Sequence, residues 1–342
     1  MKKLAFVLGI LLLGSLASPS PAPAEQIGPA GPSQAATSYV IGAAGDIACN
    51  ADPYPETKPD NCQYDDTADL LTGLTLILAL GDNQYPTGSY TGYTTYYDPT
   101  WGQYLANTNP VPGNHEYAQD PSSTPRGYFR YFGDRVKGPD GLGYYSFDVP
   151  KGCTPGQGVC WHFIALSSEL CFASGGCGAP SDPANPGLGN KMHDWLKQDV
   201  SDHPASAYAC TLAYWHHPLF SFSSGSGESP AMRPLWRLLY RAHADVVVNG
   251  HSHNYQRWRP QAPGGAFAPG HGIREFVVGT GGASKYPLPT GQRPANLAVA
   301  QDAAFGILRI TLRRAGYSWE WATAAGQPAN FTDASTTTVK CR

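Results

Sequence analysis

Four short segments carry residues able to do chemistry: Gly81-Asp82-Asn83-Gln84-Tyr85, Gly113-Asn114-His115-Glu116, Trp215-His216-His217-Pro218 and Gly250-His251-Ser252-His253. A fifth, Gly45-Asp46, precedes them, and each follows an apolar run. Carboxylate, carboxamide, phenol and imidazole donors together suit iron, zinc or manganese better than soft, thiophilic cations. The chemistry such a set supports is metal-assisted hydrolysis, with a phosphate ester as the expected substrate.

The elements that must position these donors read as strands. Tyr39 to Ile47 and Leu74 to Leu80 are short apolar runs that each end in Gly-Asp, as buried strands would. In open α/β sheets ligands gather beyond the C-terminal ends of strands, so Asp46 and Asp82 are expected to converge there. Between them Asp65 to Leu74 reads as a crossover helix with Asp65 or Asp66 as N-cap. Further strands are expected at Tyr144 to Val149, Trp161 to Ser167, Tyr208 to Trp215, Asp245 to Asn249, Glu275 to Gly279, Ile307 to Leu312 and Tyr317 to Trp321. Helices are expected at Leu188 to Ser201 and Met232 to His243. The order is βαβ early and hairpin-like late, which predicts an α/β fold, a four-layer α/β/β/α sandwich of two facing mixed sheets flanked by helices.

The residues resemble those of the calcineurin-like metallophosphoesterase superfamily, and the tyrosine three places after Asp82 resembles the purple acid phosphatases. The motifs run from Asp46 to His253 in the family's order. The resemblance implies a first metal held by Asp46, Asp82, Tyr85 and His253. It implies a second held by Asp82 as the bridge, the Asn114 carboxamide oxygen, His216 and His251. His216 is preferred over His217 because the family's ligand stands two residues before the proline.

Two cations sharing a carboxylate sit about 3.5 to 4 Å apart and together depress the pKa of a trapped water. The cofactors implied are two metal ions, Fe(III) with Fe(II), Zn(II) or Mn(II), and a Tyr85 phenolate on iron(III) would colour the protein. The hydroxide so formed attacks phosphorus in line, and His115 serves as general acid or transition-state stabiliser, with Glu116 orienting its ring. Two departures from the family stand out: Ala48 replaces a usual glycine, and Ser223-Ser224-Gly225-Ser226-Gly227 lies where another histidine is common.

Residues 1–24 carry Lys2, Lys3, an apolar run from Leu4 to Leu13 and the small-x-small end Ala22-Pro23-Ala24, the pattern of a secretory signal peptide. The apolar run is about half of the ~20 residues a membrane-spanning helix needs, and no later segment is long enough, so no transmembrane segment is expected. Residues 25–38 read as a flexible lead-in, and 39–342 as the metallophosphoesterase catalytic domain.

Eight cysteines and an oxidising compartment favour disulfides. Short loops suggest Cys49 with Cys62, Cys153 with Cys160 and Cys171 with Cys177, leaving Cys210 with Cys341. No Cys-x-x-Cys occurs to favour a zinc or iron-sulfur site. Removal of Lys2 and Lys3 would leave 21 basic against 26 acidic residues without a basic block, which disfavours nucleic acid as the main partner.

The aromatic residues Tyr85, Tyr90, Tyr93, Tyr96, Tyr97 and Trp101 either wall a substrate cleft or pack their own loop. The expectation is a secreted phosphatase that takes a small phosphomonoester. The alternatives are a phosphodiesterase or nucleotidase with the same site, and a non-catalytic phosphate-binding surface protein.

Overall fold

A computed structural model of the chain describes residues 37–49, 62–118, 125–172, 176–178 and 187–342. The expected signal peptide, and all of the expected lead-in but its last two residues, lie outside the described residues.

Twelve strands among the described residues make two sheets. The first runs in the order β12 (Gly316–Thr323), β11 (Gly306–Arg313), β1 (Ser38–Ala44), β2 (Ile77–Leu80) and β3 (Thr108–Val111). The second runs β10 (Leu297–Gln301), β8 (Tyr255–Trp258), β9 (Arg274–Val278), β7 (Val246–Asn249), β6 (Cys210–Trp215), β5 (Trp161–Ala165) and β4 (Tyr145–Val149). Both are mixed. β1, β2 and β3 are parallel, as are β5, β6, β7 and β9, while the flanking strands pair antiparallel. Helices Leu188–Asp202 and Arg233–Arg241 flank the second sheet's strands in sequence, so the architecture is the expected two mixed sheets with helices.

The parallel strands read as continuous apolar runs because both of their faces are covered. Ile77–Leu80 and Val246–Asn249 are buried at every position. Leu78, Phe163, Leu212, Tyr214, Val248 and Phe276 belong to one core shared by both sheets. A second core, built on Trp215, Leu235, Trp236 and Met192, packs the helices onto the outer face of the seven-stranded sheet.

Three strands escaped the sequence: β3, β8 and β10. β3 is Thr-Asn-Pro-Val, too short and polar to signal itself, and β8 and β10 carry the polar Gln256, Arg257 and Gln301. The crossover helix is shorter than expected, Tyr64–Asp69, and Gln63 rather than Asp65 or Asp66 occupies its N-cap without a side-chain cap. Both aspartates stand in the first turn, where a negative charge still favours the helix dipole.

Three of the expected disulfides are present, Cys153–Cys160, Cys171–Cys177 and Cys210–Cys341. The fourth expected pair is not bonded. Cys49 Sγ contacts the carbonyls of Ile47 and Gly282 at 3.7 and 3.6 Å, with the Cys62 thiol beside it. No helix among the described residues is long and apolar enough to cross a membrane.

Candidate metal centre

The donors collect at one end of the two sheets. Asp46 leaves the C-terminal end of β1, Asp82 that of β2, Asn114 that of β3, His216 that of β6, and His251 and His253 that of β7. Backbone hydrogen bonds join the sheets here: Gly45 N–H donates to Val278 O and Gly281 N–H to Gly45 O, both at 2.9 Å.

Three of these residues hold left-handed backbone conformations, Asp46 (φ 61°), Asp82 (φ 48°) and His251 (φ 68°). For non-glycine residues such conformations are uncommon and cluster at functional sites. The glycines of the motifs have a steric reason. A Cβ at Gly81 would lie 2.7 Å from His216 Nδ1, and one at Gly113 would collide with the Asp82 carboxylate.

Tyr85 Oη lies 2.9 Å from Asp46 Oδ1, 3.0 Å from Asp82 Oδ2 and 2.9 Å from His253 Nε2. His253 Nε2 is 3.1 Å from Asp46 Oδ1. On the other side of Asp82, His216 Nε2 is 3.1 Å from Asp82 Oδ2 and 3.2 Å from Asn114 Oδ1. The ligand atoms of Asp82, His216 and His251 fall within 4.8 Å of one another. Asp82 Oδ2 thus faces both donor groups. All seven residues expected as ligands meet, almost wholly buried save the shallower Asn114 and His251.

Backbone groups fix the rings. His216 Nδ1–H donates to Leu80 O at 2.9 Å and His253 Nδ1–H to Ser284 O, which turns Nε2 of each inward as the nitrogen that a cation could take in exchange for its proton. The remaining carboxylate oxygens also have partners. Asp46 Oδ2 accepts His251 N–H and Asp82 Oδ1 accepts His115 N–H, both at 2.8 Å.

Electrostatics follow from this crowding. Burial alone would raise the Asp82 carboxyl, but the neighbouring His216 and His115 hold it well below the usual carboxylate range. Burial opposes charge on His216 too, yet Asp82 lifts its pKa to about 10. Burial and then the His216 charge depress His251 to about 4. Burial, then Asp46 and Asp82, push the Tyr85 phenol well above its ordinary 10. A phenol wedged between two carboxylates ionises only if cations offset the added charge, so this donor set fits two metal ions.

His115 is partly exposed, its side chain 32% accessible. Its Nδ1 pairs with Pro86 O at 2.6 Å, its ring lies 4.3 Å from that of Tyr85, and Nε2 faces Asp82 Oδ2 at 3.9 Å. Glu116 does not orient it. That carboxylate turns inward and accepts backbone N–H groups of Asp82, Asn83, Gln84 and Gly113.

Other side chains complete the site, and of these Tyr286 gave no signal in the sequence. Tyr286 stacks on His253 with ring centroids 4.0 Å apart and planes at 4°. His217 packs 4.2 Å from the His251 ring and pairs with Ser168 Oγ at 3.0 Å. Where the family often has another histidine, Ser226 Oγ holds the His251 carbonyl at 3.0 Å. Of the tyrosine-rich loop only Tyr85 enters the centre. Tyr93, Tyr97 and Trp101 are fully buried among Tyr131 and Phe132, so they pack a core rather than wall a cleft.

A family model described as calcineurin-like phosphoesterase matches residues 39–255. Purple acid phosphatase 21 of Arabidopsis thaliana is 27% identical over 248 residues, covering 66% of this chain and 51% of that one. Purple acid phosphatase 23 of the same plant is 31% identical over 171 residues, 46% of this chain and 32% of its own. The chain spans about half or less of the length of the curated relatives it matches. Among solved structures, the purple acid phosphatase PPD1 from yellow lupin seeds superposes with a TM-score of 0.65 at 17% identity, over 88% of this chain and 54% of that one. GAP50, the anchor in the inner membrane complex of Plasmodium, superposes at 0.64 with 12% identity over 90% of each chain.

Proposed function

The chain belongs to the calcineurin-like phosphoesterase family and is a purple acid phosphatase-like, metal-dependent phosphoester hydrolase, and from that premise we propose a secreted phosphatase that uses two metal ions to hydrolyse small phosphomonoesters. In this reading Asp46, Tyr85 and His253 would hold one ion and Asn114, His216 and His251 the other, with Asp82 shared between the two groups. The observation that carries it is the position of Asp82 Oδ2, 3.0 Å from Tyr85 Oη and 3.1 Å from His216 Nε2.

When bound, the metals supply Lewis acidity toward the ester and an activated water. The chain's own groups do the rest. His115, exposed at the rim with Nδ1 engaged by Pro86 O, offers Nε2 to the phosphoryl group or to the departing oxygen. Leu80 O and Ser284 O hold two ligand rings in the tautomer that leaves Nε2 as donor. Iron(III) on Tyr85, with Fe(II), Zn(II) or Mn(II) in the second position, is the assignment the phenol favours. Three disulfides and the character of residues 1–24 support export.

The test is metal analysis of the purified protein with its visible spectrum, followed by turnover of p-nitrophenyl phosphate and its bis ester. Two equivalents of metal, colour, and preference for the monoester are expected. Faster cleavage of the diester would shift the reading to a phosphodiesterase, and a fully metallated but inactive protein that binds phosphate would refute catalysis.

A further inference from the structure

One flank of the centre carries a charge that the reaction does not use. β5 ends at Ala165, and the segment after it, Ser168–Cys171, forms a single 3₁₀ turn beside the second-metal residues. The turn is fastened on three sides. Tyr117 Oη bonds Ser167 Oγ at 2.7 Å, His217 N–H donates to Ser168 Oγ at 3.2 Å, and Cys171 is bonded to Cys177.

Glu169 stands on this turn. Its Oε2 lies 3.8 Å from His217 Nε2, and its side chain is 28% exposed, so the carboxylate is partly open to solvent rather than sealed in the core. It lies within the electrostatic reach of His216 and Asp82. His217, its one ion-pair neighbour among the described residues, packs directly on His251. Phe172 completes the flank, half exposed at 49%, with its ring 4.6 Å from that of His217. The sequence bordering this flank holds no permanent cation: residues 152–190 and 198–232 contain neither Lys nor Arg.

A partly exposed carboxylate beside a partly exposed aromatic face is a recognition pair for an ammonium group, which gains both a Coulomb partner and a cation–π contact. His115 borders the centre on the Tyr85 side, and Glu169, through His217, borders it on the His251 side. Resting on the phosphatase reading of the same site, we propose that Glu169 and Phe172 select the leaving group, favouring phosphomonoesters whose alcohol carries a positively charged ammonium and rejecting those whose alcohol carries a second anion.

The test compares kcat/KM of the metal-loaded enzyme for phosphocholine, glycerol 2-phosphate and 3-phosphoglycerate, which differ chiefly in leaving-group charge. Assays run at pH 7.5, since burial lifts the Glu169 carboxyl above its ordinary range. The wild-type order should be phosphocholine, then glycerol 2-phosphate, then 3-phosphoglycerate, each step about tenfold, toward the solvated end of the range for one charge–charge contact. Glu169→Gln should lower the value for phosphocholine by about tenfold and raise that for 3-phosphoglycerate by a few fold. Opposed signs are what a merely structural loss would not give. Glu169→Asp should keep the wild-type order.

Equal wild-type values for the three esters, or one common factor lost by all three in Glu169→Gln, would overturn the proposal. The wild-type comparison needs no variant, so a misfolded mutant would leave it intact. Failure of loaded wild-type protein to hydrolyse even p-nitrophenyl phosphate would instead overturn the parent reading, and this one with it.

Discussion

The Glu116 carboxylate accepts the Asp82 backbone N–H at 2.9 Å from 34 residues away in sequence. The same carboxylate takes Asn83 N–H at 2.9 Å, Gly113 N–H at 2.7 Å and the Tyr93 hydroxyl at 2.9 Å. One buried side chain thus laces the loop that carries Asp82 and Tyr85 to the loop that carries Asn114 and His115. Burial and then Asp82 push its pKa up to about 8, against which the Gly113 and Tyr93 donors pull.

Replacement of Glu116 by Gln puts an amide NH₂ against backbone N–H groups, which only donate. We expect Glu116→Gln to cost about 2–4 kcal/mol of stability, the range for a buried polar group left facing the wrong partner, and to weaken retention of both metals. Denaturant melts with metal analysis check this. An unchanged midpoint and full metal content would contradict the lacing role.

Asn114→Ala and His216→Ala remove donors from one side of Asp82 only. Each is expected to lower bound metal from two equivalents toward one and kcat by at least about a hundredfold, with the far-ultraviolet spectrum retained. Either variant with two metals and near wild-type turnover would refute the ligand assignment.

Tyr85→Phe deletes the phenol but keeps the ring that packs near His115 and His253. If iron(III) occupies the Tyr85 side, its visible band should vanish in the variant while the ring packing survives. A band that persists unshifted would show that the colour arises elsewhere.

His162, given no role by sequence, is clamped between Asp148 Oδ1 at 2.9 Å and Asp199 Oδ2 at 3.0 Å, with His203 stacked 4.2 Å away and Tyr208 beside it. Burial would lower its pKa, but the Asp199 and Asp148 hydrogen bonds win and raise it above 6.5. A raised value in the folded protein means the contribution is complete below pH 6.5 and fades as pH climbs through the folded-state pKa. His162→Gln should therefore lose about 2–3 kcal/mol near pH 6 and less near pH 9. Chemical denaturation at the two pH values decides it, and a loss independent of pH would remove the imidazolium from the account.

The Cys210–Cys341 bond closes a sequence separation of 131 residues and ties the C-terminus to β6. Cys341→Ser should cost about 3–5 kcal/mol through the freed unfolded chain, measured by urea unfolding. A change below about 1 kcal/mol would mean that the Arg342 and Asp245 contacts hold the terminus by themselves.

The sequence by itself picked out the residues that meet at this centre and most of the strands that carry them, because both depend on local patterns. Buried parallel strands must be apolar throughout, and the glycines of Gly81-Asp82 and Gly113-Asn114 are demanded where His216 and Asp82 press against the backbone. Ile77–Leu80, Cys210–Trp215 and Val246–Asn249 were legible for that reason, whereas Thr108–Val111 carries a proline and two polar residues and was not. Only the tertiary structure decided what polar side chains face. Glu116 follows His115 in the chain yet serves Asp82. Tyr93 and Tyr97 share a loop with Tyr85 yet fill a core, while Glu169 and Tyr286 reach the centre from segments without a motif. A side chain's direction is set by packing between residues far apart in sequence, and no local spacing encodes that.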